Sequence, residues 1–158
     1  MLERQQVIEW LESENKSTKI LEDEESVWRV QAQYPTREQG FSLDVLKLRA
    51  SDAVLVLAGI TIAGEMEDLQ RRASTKGYQS FLARLKLDLL RSPVQYRLNY
   101  SDEGRVLQLV ELFYPLYAEE QTRARLMRAM ADVHRAALSL MVHLELLRIE
   151  EDEPSSQN

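Results

Sequence analysis

A chain of 158 residues that is 44% hydrophobic and 29% charged has the make-up of one ordinary globular domain, long enough to bury a core without metal or disulfide staples. Its 26 acidic residues outnumber 20 lysines and arginines, and a net charge of -6 repels phosphate backbones and anionic lipid headgroups, so neither nucleic acid nor membrane is an expected partner. The absence of cysteine removes disulfides, thiolate nucleophiles, iron–sulfur clusters and the usual structural zinc sites together.

The opening MLERQQVIEWLESEN lacks the basic and apolar regions of a secretory signal, from which a cytoplasmic location is expected. Leu2, Val7, Ile8, Trp10 and Leu11 recur at helical spacing among acids and amides, which predicts a short amphipathic helix ending near the polar NKST. VWRVQAQY alternates from Val27 to Tyr34, with Trp28, Val30 and Ala32 on one face and Arg29 and Gln31 on the other, the mark of a half-buried strand. Tyr34-Pro35 and Gln39-Gly40 bracket a turn. FSLDVLKLR then alternates through Val45 and switches phase at Leu46 and Leu48, which predicts a β-bulge. The third strand runs from Ala53 to about Ile62 and is apolar on both faces: Val54, Val56, Ala58 and Ile60 one way, Ala53, Leu55 and Leu57 the other.

The period turns helical from Glu65 to Arg91, where GYQSFLARLKLDLLRSP puts Tyr78, Phe81, Leu82, Leu85 and Leu89 on one stripe that stops at Ser92-Pro93. Val94 to Tyr100 and Arg105 to Phe113 alternate around Ser101–Gly104, whose glycine suits a hairpin loop. A long helix is predicted from Leu116 to Ile149, with a core stripe of Leu126, Met130, Val133, Ala137, Leu140 and Leu144. Leu138, Met141, Val142 and Leu147 widen that stripe until the helix is apolar nearly all round. The sequence thus predicts a single α+β domain over residues 1–149, an antiparallel sheet in the order helix, three strands, helix, two strands, long helix, and a disordered acidic tail over 150–158.

Few motifs offer chemistry. Gly59 and Gly64 have the GxxxxG spacing of a phosphate-binding loop, but Glu65 and Met66 stand where lysine and a magnesium-binding hydroxyl are required. Bending or close packing at the strand end is the simpler use of these glycines. His134 and His143 share a helix but lie on opposite sides of it, so they cannot bind one metal within one chain. Neither a nucleophile with its base nor a calcium loop is recognisable, and no catalytic residue, cofactor or metal is expected.

The excess apolar surface is the signal left. Val54, Val56 and Ile60 in the third strand, Leu87 and Leu90 off the middle helix stripe, and Leu138, Met141 and Val142 on the last helix are the candidate dimer or partner surface. The element order is similar to that of the type III secretion chaperones and the related YbjN-like proteins. FLARLKLDLL (Phe81 to Leu90), followed by a hairpin, a tyrosine-containing junction and a long closing helix, resembles an uncharacterised prokaryotic family with that fold. The resemblance implies a dimer that holds extended protein segments against apolar surface without ATP. The expected function is therefore a non-enzymatic, homodimeric chaperone-like or adaptor module for a protein client, with a small-molecule or nucleotide-binding regulatory protein as the alternative.

Overall fold

In the computed structural model, which describes residues 1–33, 41–101 and 103–152, six strands form one antiparallel sheet beside four helices. In chain order these are α1 (Arg4–Ser13), β1 (Ser17–Leu21), β2 (Ser26–Gln33), β3 (Leu43–Leu48), β4 (Val54–Thr61), α2 (Gly64–Arg72), α3 (Thr75–Arg91), β5 (Gln95–Ser101), β6 (Val106–Leu116) and α4 (Arg123–Asp152). The turn expected between Tyr34 and Gly40 and residues 153–158 of the expected tail lie outside the described residues.

The strands lie in the order β1-β2-β3-β4-β6-β5. Short links make β1 to β4 a meander, and the β5–β6 hairpin returns so that β6 pairs antiparallel with β4. Gly104 takes φ 85 in the hairpin loop, a left-handed conformation that glycine adopts without a Cβ clash. β6 continues through Pro115, past the end of β5, where β4 is its only neighbour among the described strands and a proline is tolerated. The last helix therefore starts at Arg123 rather than Leu116. It also runs to Asp152, three residues into the expected tail, where Glu150 binds Arg84 on α3 at 3.0 Å.

Local chemistry sets the other helix ends. The Glu3 amide donates to Gln6 Oε1 at 3.3 Å as α1 begins, and Ser74 Oγ accepts from the Gly77 amide at 3.0 Å as α3 begins. Asn15, at φ 59, turns the chain out of α1 and into β1, a strand absent from the sequence reading.

α1 packs on β1 and β2, α2 on β6, and α4 on β3, β4 and β6, while α3 packs on α4. All four contribute to one core containing Val30, Val45, Val56 and Val110 from the sheet and Leu11, Leu69, Phe81 and Met130 from the helices. Ala129, Ala136 and Ala137 are buried on α4, and these small side chains let its backbone come close to its neighbours. Gln70 on α2 is fully buried: its Oε1 accepts from the Leu107 amide at 2.8 Å and its Nε2 donates to the Leu107 carbonyl at 3.1 Å. This side-chain amide bonds to β6 as a neighbouring strand would.

Two expectations are corrected here. Val54, Val56 and Ile60 are at most 1% exposed in the core, so they cannot form a partner surface; the outward face of β4 belongs to Leu55 and Leu57. The change at Leu46 and Leu48 is not a bulge in β3, because Leu43 and Val45 stay in the core and Asp44, Leu46 and Leu48 line the opposite face. The register shift falls across the pair, between Ser26 and Trp28 of β2. What changes at Leu46 is the chemistry of the second face, which becomes apolar.

Candidate functional site

Period-two alternation gives every strand two faces, and the helices cover only one. On the other face Leu46, Leu55, Leu57, Leu109 and Phe113 gather across β3, β4 and β6, apart from the main core. Register brings them together: Leu46 lies opposite Leu55, Leu57 opposite Phe113, and Gly59 opposite Glu111. They floor a depression of about 620 Å³ with walls from all six strands.

Charges stand at both ends. Toward β1, Arg29 donates from Nε to Asp44 Oδ2 at 2.7 Å and from Nη1 to Asp23 Oδ2 at 3.1 Å; its Nη2 also donates to Asp44 Oδ2. Asp23 accepts from the Ser26 amide at 2.7 Å and from its hydroxyl at 3.0 Å. These Ser26 bonds and then the Arg29 bond hold the Asp23 carboxyl below its usual value. Burial opposes the Arg29 charge, but the bonds to Asp44 and then Asp23 outweigh it and raise the guanidinium above its ordinary value. Asp44 is 6% exposed, and its second oxygen, Oδ1, has no hydrogen-bond partner among the described residues. Toward β5, Arg97 pairs with Glu111 across the strands at 3.5 Å.

The other predicted surface residues divide. Leu87, Leu90, Leu138 and Val142 are exposed, whereas Met141 is half-buried against the core; Leu147, which widens the apolar stripe of the last helix, lies inside the core. Val142 and Leu90 are 57% and 72% exposed. Leu138, Val142, Leu146 and Ile149 make an outward stripe on α4 at spacings that keep them on one side of a helix.

The two histidines have separate surroundings. His134 lies against the Phe41 ring at 5.6 Å, and burial, with Lys16 nearby, lowers its pKa below the ordinary value. His143, buried on α4, meets Asp88 of α3 through Nε2 at 2.5 Å. The Ser139 hydroxyl lies 3.5 Å from the same carboxylate oxygen and donates to it rather than to the imidazole. Histidine and serine thus both serve Asp88, and this arrangement clamps α3 to α4. Among the described residues no three acidic or histidine side chains assemble as a metal site, and no helix is long and apolar enough to cross a membrane. A Cβ at Gly59 or Gly64 would meet no atom within 4 Å, so close packing does not explain either glycine.

Sequence reasoning missed the Asp23–Arg29–Asp44 group. Its available signal was the placement of Arg29 and Asp44 on the non-core faces of adjacent alternating strands.

The profile of DUF2299, described as an uncharacterised conserved protein, matches residues 3–144. The chain belongs to the DUF2299 family. It is similar to the crystal structure of an uncharacterised protein from Methanothermobacter thermautotrophicus, with a TM-score of 0.81 and 19% identity over 92% of this chain and 98% of that one. It is also similar to YbjN from E. coli, described as a candidate transcription regulator, with a TM-score of 0.53 and 14% identity over 94% of each chain. At these identities the likeness is one of fold. No curated protein matches.

Proposed function

We propose that this DUF2299 chain is a non-enzymatic protein-binding module, a homodimeric chaperone-like or adaptor protein. The observation that carries the reading is the one-sided sheet: among the described residues α1, α2 and α4 pack on one face, and the other presents leucines and Phe113 between two charged ends. Leaving such a face open stabilises nothing in the free chain, whereas covering it with another polypeptide removes apolar area from water at about 25 cal/mol per Å². The likeness to YbjN, described as a candidate regulator, agrees with a binding role.

Self-association would use the other apolar surface, the α4 stripe of Leu138, Val142, Leu146 and Ile149, with Leu87 and Leu90 of α3. That places the second copy on the helical side and leaves the sheet face for the client. Light scattering on the eluting chromatographic peak tests this assignment. A dimer is expected for the parent, for Leu57→Lys and for Leu55→Ser, and a monomer for Val142→Glu. A parent that stays monomeric at 100-fold increased concentration contradicts the dimer, and a dimer lost in Leu57→Lys but kept in Val142→Glu contradicts the division of labour.

A further inference from the structure

A carboxylate fork and a guanidinium fork ordinarily pair oxygen for nitrogen, two parallel bonds that use both oxygens. Arg29 instead places Nε and Nη2 on the single oxygen Oδ2 of Asp44, and Oδ1 is left without a partner although the residue is 6% exposed. A buried, charged acceptor without a donor is costly, and a native fold keeps one where something else supplies the donor. Asp44 lines the open depression while Oδ1 itself is shut off from water, so a donor reaches that oxygen once a side chain of the wall turns aside.

The surroundings specify its charge. The ionisable groups lining the depression are Asp23, Glu25, Asp44 and Glu111 against Arg29 and Arg97. Arg97 is held by Glu111 and Arg29 by the two aspartates, so the end near β1 keeps an excess of negative charge in a chain of net charge -6.

The shape specifies the rest. Six strands about 4.8 Å apart make the depression roughly 24 Å long across the sheet, the reach of about seven extended residues. Its centre is leucine, between the charged ends. A small amine would satisfy Asp44 and leave those leucines wet.

We infer that the open sheet face binds an extended segment of another protein in which a lysine or arginine side chain reaches Asp44 Oδ1 while apolar residues on the same side of the segment cover Leu55, Leu57 and Phe113. The inference rests on the protein-binding reading above and names the partner's chemistry. The cation donates to Oδ1, Arg29 keeps its place on Oδ2, and the acidic pair Asp23 and Asp44 then faces two cations in place of one.

The test uses the full chain and three fluorescein-labelled heptapeptide libraries that alternate apolar and polar residues, with lysine, norleucine or glutamate fixed at the third position. Fluorescence polarisation should show the lysine library binding at least tenfold more tightly than the norleucine library, with the glutamate library weakest. Asp44→Asn should bring the lysine library down to the norleucine level and leave the latter unchanged. The three-library comparison needs no variant, so it decides the question even if Asp44→Asn fails to fold. Equal binding of all three libraries, abolished by Leu55→Ser, overturns the cation requirement while the protein-binding reading survives. Binding of none of them, together with stabilisation by n-hexylammonium that depends on Asp44, overturns both in favour of a small-amine site.

Discussion

Val56 and Leu57 are adjacent in β4, and introducing lysine at each should have opposite consequences. Val56 is 0% exposed and lies between Val45 and Tyr114 in the register, on the helix side of the sheet. An ammonium there is buried without a partner, at an effective cost of several kcal/mol, comparable with the roughly 5–15 kcal/mol that holds a domain folded. Leu57 is half-buried on the open face, directly opposite Asp44. Replacing it forfeits about 1–2 kcal/mol of apolar burial. Directly opposite residues have Cβ atoms about 5 Å apart, so the new ammonium can reach Asp44 Oδ1, and a charge-assisted bond returns about 1.5–3 kcal/mol. Leu57→Lys should therefore come out within about 1 kcal/mol of the parent. Urea unfolding followed by the fluorescence of buried Trp28 and half-buried Trp10 gives the comparison. With a slope of about 2 kcal/mol per molar, Leu57→Lys should keep its midpoint within about 0.5 M, whereas Val56→Lys should lose at least 2 M or show no transition. In the Asp44→Asn background Leu57→Lys should lose its compensation and fall by about 1–2 kcal/mol. Equal damage from both lysines would refute the assignment of faces, and a Leu57→Lys effect indifferent to Asp44→Asn would refute the role given to Oδ1.

Three further outcomes follow from individual side chains. Lys47 is 7% exposed on the core side, its Nζ has no hydrogen bond among the described residues, and its ion pair is a 4.0 Å approach to exposed Asp52; Lys47→Met should gain about 1–2 kcal/mol, a rise of several degrees in calorimetry. Gln70→Ala leaves the buried Leu107 amide and carbonyl without partners and should lose about 2–4 kcal/mol in the same urea assay. The folded-state pKa of His134 lies below 6.5, so the unfolded chain takes up the proton first and stability falls as pH drops through 6.5 toward the folded value; His134→Gln should flatten the melting temperature between pH 7 and 5.

Most elements were legible because their patterns are local. The α3 stripe of Tyr78, Phe81, Leu85 and Leu89 is buried as spaced, and the hairpin forms around Gly104. β1 was missed because STKIL is a short edge strand with Ile20 48% exposed, so it carries no alternation to detect. For β4 the sequence revealed two apolar faces but not which of them the helices would take. That choice depends on long-range register, Val45 with Val56 and Val56 with Tyr114, and period two alone puts the partner surface on the wrong side of the strand. The four exposed helix residues Leu87, Leu90, Leu138 and Val142 were readable because they fall off otherwise regular core stripes. Asp44 was invisible as a site residue: an aspartate in an alternating strand reads as a wet position, and its burial arises only when Arg29 and the neighbouring strands close around it.

Methyl-labelled spectra of the chain at low micromolar concentration, recorded with a soluble nitroxide, show most directly whether the sheet has an uncovered side. Leu55 and Leu57 methyl signals should broaden strongly while those of Val54 and Val56 stay sharp, and the lysine library should then protect Leu55 and Leu57. If all four residues are equally shielded in the chain alone, the face is already covered and the account fails.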